Sequence, residues 1–408
     1  MSRAIAFTNA ELVCPEGGVS AGGLLVRDGV IAAIGAIDIP ADAETIDCKG
    51  HMLAPAIVDL GVFTIDLEAF HAGGIVRVGL MPDQSPVLDD PGIVQRAALI
   101  GKPGLWIHPL AAATKGLAGA DLAEMAINRG AGARAVATGR RWIADSGVMR
   151  KVLAYARDLD LAVVSHAEDA GLTGNAVATA GETATRLGLA AAPSLAEPLA
   201  IARDLLLAEE TGARLHIRQV TTAQGFDLVR AAKRRGVKVT CGVTPTHLLL
   251  SDIAMTDFRT FANVSPPLRS EDDRQAALAA LADGTIDVLC SGHDPRGPEE
   301  KRLPFADSAP GAANAELLLA LALGFARDER LPIERLIGLL SANPARVLGL
   351  DAGTLAPGAP ADLILVNRDA PWKIDADKLR AKAGNTPFDG LPVQGKVIKL
   401  FKGGAALI

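Results

Sequence analysis

Apolar and polar positions alternate at short range near the start of the chain and at longer range further on. Within residues 4–50, short apolar runs stand between turn signals: Ala4-Ile5-Ala6-Phe7, then Gly22-Gly23-Leu24-Leu25-Val26, then Val30-Ile31-Ala32-Ala33-Ile34 after the hairpin-favouring pair Asp28-Gly29. That spacing predicts a small β unit. From Leu53 the texture changes. Apolar runs at 104–109, 133–137, 161–165, 215–220, 238–243 and 285–290 alternate with Ala-rich helical stretches, the longest over 195–211. Strands that alternate with helices imply a parallel sheet, and about eight such steps between Leu53 and Leu348 predict an α/β chain with a (β/α)8 TIM-like barrel over 52–348. An open doubly wound sheet is the competitor, but no G-x-G-x-x-G or P-loop follows any strand. The β texture returns at the end, with a turn at 353–358 and strands at 362–366 and 397–401. Residues 1–51 and 349–408 therefore read as two parts of one composite β-sandwich beside the barrel.

Composition narrows the function classes. With 49% hydrophobic and 22% charged residues the chain is globular, and at 3% aromatic it has little ring surface for stacking nucleobases. Lys and Arg number 41 against 47 Asp and Glu, a net charge of -6, so no cation excess meets a phosphate backbone or an anionic bilayer. A small molecule or another protein is the expected partner. Cys14, Cys48, Cys241 and Cys290 stand apart without a CxxC pair, as reduced, packed thiols do. Residues 1–14 hold Thr8, Asn9 and Glu11 where an export signal needs unbroken apolar sequence, and the apolar run at 317–326 is far short of the ~20 residues that span a bilayer. A soluble, cytoplasmic protein is expected.

Several segments then fall in a familiar order: Val58-Asp59-Leu60, Gly79-Leu80-Met81-Pro82-Asp83, Thr114-Lys115-Gly116-Leu117, Ser165-His166-Ala167-Glu168-Asp169, Thr244-Pro245-Thr246-His247, Ser265-Pro266-Pro267-Leu268-Arg269 and Asn385-Thr386-Pro387-Phe388. Over nearly the whole chain this resembles the dihydroorotases of the amidohydrolase superfamily. The resemblance implies the same barrel and sandwich, and, in active members, a zinc centre at the C-terminal mouth that makes a hydroxide and polarises a cyclic amide.

The ligand positions implied by that resemblance are largely lost. Gly61 and Phe63 stand in place of the His-x-His pair after Asp59, Gly139 in the stretch that should carry the bridging carboxylate, Gln219 in place of a third histidine, and Gly292 in place of the proton-accepting aspartate. Of six ligands only His166 remains. Substrate contacts fail in parallel: Ile65 replaces an arginine, Asp83 and Ser265 each replace an asparagine, and Arg296 replaces a histidine of the His-x-Pro-His element that begins at His293. The eleven residues 64–74 leave room for at most a short first helix. No zinc or other cofactor is expected. His166 reads either as a weak metal site or as a hydrogen-bonded interior residue. His216, His247 and His293 keep family positions outside the ligand set and read as structural, whereas His51, His71 and His108 carry no signal. Arg140 and Arg141 either lean into the mouth or form a solvated face. Lys151, Lys233, Arg234 and Arg235 read as helix-surface charges.

Within the resemblance, the chain looks most similar to silent homologues that accompany aspartate carbamoyltransferase as structural partners. A non-catalytic subunit in a hetero-oligomer with that enzyme, in pyrimidine biosynthesis, is the first expectation. A cyclic-amide hydrolase with a rearranged metal site is the second. The third is a small-molecule-binding module in which Arg140, Arg218 or Arg296 reads an anion, within a remnant pocket of Ile65, Asp83, Arg140, Arg218, Ser265, His293 and Arg296.

Overall fold

In the computed structural model, which describes residues 4–408, the first five strands are β1 (Ile5–Cys14), β2 (Gly18–Arg27), β3 (Val30–Gly35), β4 (Glu44–Asp47) and β5 (Met52–Pro55). The beginning of the N-terminal segment read above as no export signal, residues 1–3, lies outside the described residues. The chain then enters a parallel sheet of β6 (Ile57–Val62), β7 (Ile75–Leu80), β8 (Trp106–Ala112), β9 (Ala135–Ala137) and β10 (Ala162–Ser165). After a small parallel pair, β11 (Ala178–Thr179) and β12 (Ala191–Ala192), the sheet is completed by β13 (Leu215–Ile217), β14 (Val239–Val243) and β15 (Val288–Leu289). Its eight strands lie in chain order. This is the expected (β/α)8 barrel, nearly closed. The gap between first and last strands is bridged past the end of β15, where the Phe63 amide donates to the His293 carbonyl at 3.0 Å and the Ser291 amide donates to the side chain of Asp59, within β6, at 2.9 Å.

Alternation along the strands sorts side chains into two layers. Val58, Leu60, Leu110, Ala135, Ala137, Val164 and Val288 fill the barrel, while Ile57, Val76, Val136, Val163 and Ile217 pack outward against the helices. The first crossover carries only the six-residue helix Leu67–Ala72, as the short linker required.

The ends of the chain meet in one sheet with the order β18–β17–β16–β5–β1–β2–β3, completed by β16 (Leu363–Lys373), β17 (Pro392–Lys402) and β18 (Ala405–Ala406), with β4 paired to β1. Met52–Pro55, on the barrel side of the expected 51/52 boundary, hydrogen-bonds to β1 and β16 and so belongs to this sheet. Phe7 and Phe401 are three strands apart in the order, about 14 Å at the usual strand spacing. Their ring centroids are nevertheless 5.0 Å apart, so the sheet folds over on itself, around Leu12, Leu24, Leu53 and Leu363. One tie leaves the sheet for the barrel mouth: Asn385 accepts from the Arg296 amide at 2.9 Å and donates to the Gly311 carbonyl at 2.9 Å. Cys48, Cys241 and Cys290 are buried and all four cysteines are free. Among the described residues no helix is long and apolar enough to cross a membrane.

Candidate functional site

The loops at the C-terminal ends of the strands bring Gly61, Phe63, Gly139, His166, Arg218, Gln219 and Gly292 around one mouth. Three of these are glycines in the left-handed region, with φ of +95° at Gly61, +79° at Gly139 and +58° at Gly292. A side chain at each would meet something already in place. A Cβ on Gly61 would stand 3.6 Å from Arg218 Cδ and Cγ, one on Gly139 would be 2.9 Å from Asp83 Oδ1, and one on Gly292 3.0 Å from Thr244 Cγ2. The Asp83 carboxylate thus lies against position 139, where it accepts from the Arg140 amide at 2.9 Å, leaving Oδ2 buried without a partner.

Arg218 occupies the centre. Its Nη2 donates to His166 Nδ1 at 3.0 Å, and its Cζ lies 5.1 Å from the Phe63 ring centroid. A guanidinium only donates, so Nδ1 of His166 accepts and the imidazole proton sits on Nε2, 3.4 Å from Glu168 Oε2. Both ring nitrogens of His166, which the resemblance matches to a ligand position, are therefore engaged. Burial works against the Arg218 charge and Arg140 opposes it further, while Asp83 and Glu168 support it from beyond ion-pair distance.

Behind this lies a second network that the sequence reading did not pick out. Arg269 donates to Glu168 at 2.6 Å, Glu197 at 3.3 Å, Thr221 at 2.9 Å and Thr179 at 3.1 Å. Glu197, fully buried at the start of the helix Ala196–Thr211, also accepts from the Thr221 and Thr222 amides at 2.9 and 2.8 Å. Burial raises the Glu168 pKa, but the His166 hydrogen bond and the Arg269 charge overcome it and hold the carboxyl down at about 2. A signal was present: an acidic residue inside the apolar stretch Leu195-Ala196-Glu197-Pro198, with paired threonines at Thr221-Thr222 to receive it. Asp59, fully buried, accepts from the Ser291 hydroxyl and amide; burial raises its pKa and those bonds oppose the rise.

At the rim, Arg140 leans inward and Arg141 is exposed. Arg140 pairs with Asp294 at 2.6 Å and lies 3.7 Å over the Phe63 ring, and Arg296 pairs with the same Asp294 at 2.9 Å. The remaining cavity, about 30 Å³, is lined by Phe63, Arg140, Arg218, Gln219, Ser265 and Asp294 among others. Pockets for drug-sized ligands are about 300–1,000 Å³. Of the remnant-pocket residues expected from the sequence, Arg140, Arg218 and Ser265 line this cavity, and Ile65, Asp83, His293 and Arg296 do not. Ile65 packs against the main core, and His293 accepts from the Ala315 amide and faces Asp66 at 3.5 Å.

The model of the amidohydrolase family matches residues 108–407. A dihydroorotase from Pelobacter propionicus is 38% identical over 390 residues, covering 92% of each chain, and one from Desulforapulum autotrophicum is 38% identical over 413 residues, covering 97% of this chain and 96% of that one. This chain belongs to the amidohydrolase family. Among solved structures, an L-hydantoinase from Arthrobacter aurescens superposes with a TM-score of 0.89 at 25% identity, covering 100% of this chain and 96% of the other. A dihydropyrimidinase from Brevibacillus agri, at 21% identity, covers 99% of this chain and 95% of its own with a TM-score of 0.85, and shares the fold.

The family's zinc chemistry has no matching donor set here. Glycine and phenylalanine side chains offer no lone pair, Gln219 offers a weak neutral amide, His166 is committed to Arg218 and Glu168, and a guanidinium stands among them. No step through a metal follows from these residues.

Proposed function

We infer that this amidohydrolase-family chain is a non-catalytic dihydroorotase-like subunit whose role is to bind aspartate carbamoyltransferase in the cytoplasm, as a structural part of a hetero-oligomer in pyrimidine biosynthesis. The observation that carries the non-catalytic part is the Arg218 guanidinium lodged among the former ligand positions and hydrogen-bonded to His166. A cation there repels a second cation, and the cavity beside it is too small for a dihydropyrimidine ring. The partner follows from the resemblance of the chain to silent homologues. A barrel and tail segment that stay legible while the chemistry is gone also leave binding as the property that requires the fold.

The names of the relatives favour a second reading, an active cyclic-amide hydrolase with a rearranged metal site. Purified protein is expected to hold no stoichiometric zinc after dialysis and to hydrolyse dihydroorotate no faster than buffer. A retained metal atom per chain, with turnover abolished by His166→Ala, would establish the hydrolase instead. For the partner, the cognate carbamoyltransferase is expressed with and without this chain. Co-elution in a larger, more active or more stable assembly is expected, and an unchanged, fully active trimer that never co-elutes would refute the scaffold.

A further inference from the structure

Between the barrel and the sheet formed by the chain ends lies an open crevice of about 590 Å³ that shares no lining residue with the mouth cavity. Small-molecule sites span about 300–1,000 Å³ and favour the seams between structural units. The start of the helix Leu318–Arg327 forms one wall, and the end of β16, the segment 374–390 and β17 form the others. Leu319, Trp372, Leu379 and Val397 give it an apolar lining. The Trp372 indole N–H donates to the Gly395 carbonyl at 2.9 Å, which holds the ring in the wall.

The rim carries the charge. Lys378 pairs with Asp375 at 2.6 Å, and Asp389 faces Arg259, outside the lining, at 3.7 Å. Lys373, Arg380 and Lys396 are exposed, and among the described residues none of them has a carboxylate within 4 Å; Lys373 acts on Asp375 only from further away. The lining groups left to balance these three are the half-buried Glu316 and the Ile408 carboxylate, which accepts from the Leu400 amide at 3.4 Å. One positive charge is in excess. Glu316 also shows where the cations meet. Burial raises its pKa, and the Arg380 amide, which donates to it at 2.7 Å, and the Arg380 and Lys396 charges oppose the rise, so both cations stand near one carboxyl.

An inorganic ion would leave most of this volume and its apolar walls unfilled, and a neutral apolar molecule would leave the excess charge unmet. We propose that the crevice binds a small organic monoanion, with a ring or branched apolar body against Trp372 and Leu319 and a carboxylate-type group on Arg380 and Lys396. The proposal goes beyond the partner-binding role inferred above, and its test needs no protein partner.

The probe is anilinonaphthalene sulfonate, an aromatic monoanion whose emission rises out of water, titrated against the full native chain. A saturable site is expected. Naphthoate should displace the probe, whereas naphthalenemethanol, which has the rings without the charge, and acetate, which has the charge without the rings, should not at the same concentration. In the double variant Arg380→Gln, Lys396→Gln, with both substitutions at exposed positions, the affinity is expected to fall about tenfold or more. Trp372→Leu should weaken it as well. Crystals soaked with iodobenzoate are expected to show the anomalous peak of iodine beside Trp372. If Trp372→Leu does not fold, the double variant and the iodine peak still decide. No saturable site, equal displacement by naphthalenemethanol, an affinity unchanged in the double variant, or no iodine in the crevice would each overturn the assignment.

Discussion

Two buried arginines stand in the mouth of this barrel, and the protein treats them differently. Arg269 has carboxylates at 2.6 and 3.3 Å and hydroxyls at 2.9 and 3.1 Å, so its charge and its donors are met by neighbours. Arg218 is equally buried but has one neutral imidazole at 3.0 Å and a free Nε. The difference separates two kinds of residue in the mouth of one barrel. Arg269 ties the loops after β10, β13 and β14 together through Glu168, Glu197 and Thr221, a task independent of chemistry at the mouth. Arg218 fills space beside Phe63 and Gly61, and its charge is supported only from beyond ion-pair distance, by Asp83 and Glu168.

The comparison breaks first at Arg269. In Arg269→Ala, Glu197 and Glu168 lose their shared cation, and removing one partner of a buried ion pair typically costs about 3–5 kcal/mol. A urea midpoint lowered by that amount, at unchanged slope, is expected. The pH dependence sharpens it. Glu168 has a folded pKa of about 2, below its unfolded value, so its stabilisation is present above about pH 4.5 and is lost as pH falls toward 2. Without Arg269, the loss is expected to begin at higher pH.

His247, which lies near both arginines, gives the next effect. Burial lowers its pKa to about 4; the Pro266 carbonyl opposes that, and the Arg269 charge adds to it. The folded pKa is below the unfolded value, so the folded state binds fewer protons and stability falls as pH drops from about 6.5 to 4. The slope is about 1.4 kcal/mol per pH unit, up to about 3 kcal/mol in all. In His247→Gln the decline between pH 6.5 and 4, followed by urea titration at each pH, should be shallower by that slope. An unchanged decline would place the acid sensitivity in His108 and His216, whose pKa values burial lowers to about 3.

Why one arginine was legible in the sequence and the other was not follows from the same contrast. The barrel and the shared sheet could be read because apolar alternation at period two and at helical period fixes which faces are buried. That positions 61, 63 and 292 offer no side-chain donor could be read because glycine and phenylalanine have no donor atoms wherever they point. Where Arg218 would point could not be read: its chain position marked it only as one of three candidate cations, and its lodging at Gly61 depends on the space that the missing side chain leaves. The same holds for Asp83 and Gly139, two separate substitutions in sequence that are one adjustment in space, with 2.9 Å between a carboxylate and the place of a missing Cβ. Glu197 escaped notice because its partners, Thr221, Thr222 and Arg269, come from other loops.

A smaller effect is expected at Arg218 itself. Replacing a buried charged group by an apolar one of similar volume is often neutral or stabilising. Arg218→Met should therefore lie within about 1 kcal/mol of the wild type in urea, in contrast to Arg269→Ala. A loss of 3 kcal/mol or more would make the two arginines equivalent and end the distinction.

The smallest expected effect is in the repair of the ligand set. Gly61→His, Phe63→His, Gln219→His and Gly292→Asp together restore four donors, yet each enters a mouth shaped around their loss. At φ +95° and +58° positions 61 and 292 strain any side chain, and the histidine at 61 would be directed at Arg218. Position 139 still lacks its carboxylate, and Asp83 Oδ1 and Oδ2, 2.9 and 3.1 Å from where its Cβ would be, keep it out. Ligand geometry must hold to about 0.5 Å for catalysis, and here the supporting residues are arranged for a guanidinium. The quadruple variant, supplied with zinc, is expected to hydrolyse dihydroorotate at the rate of buffer. Zinc-dependent turnover would show that Arg218 yields its place readily, and that the mouth differs from an active site by its ligands alone.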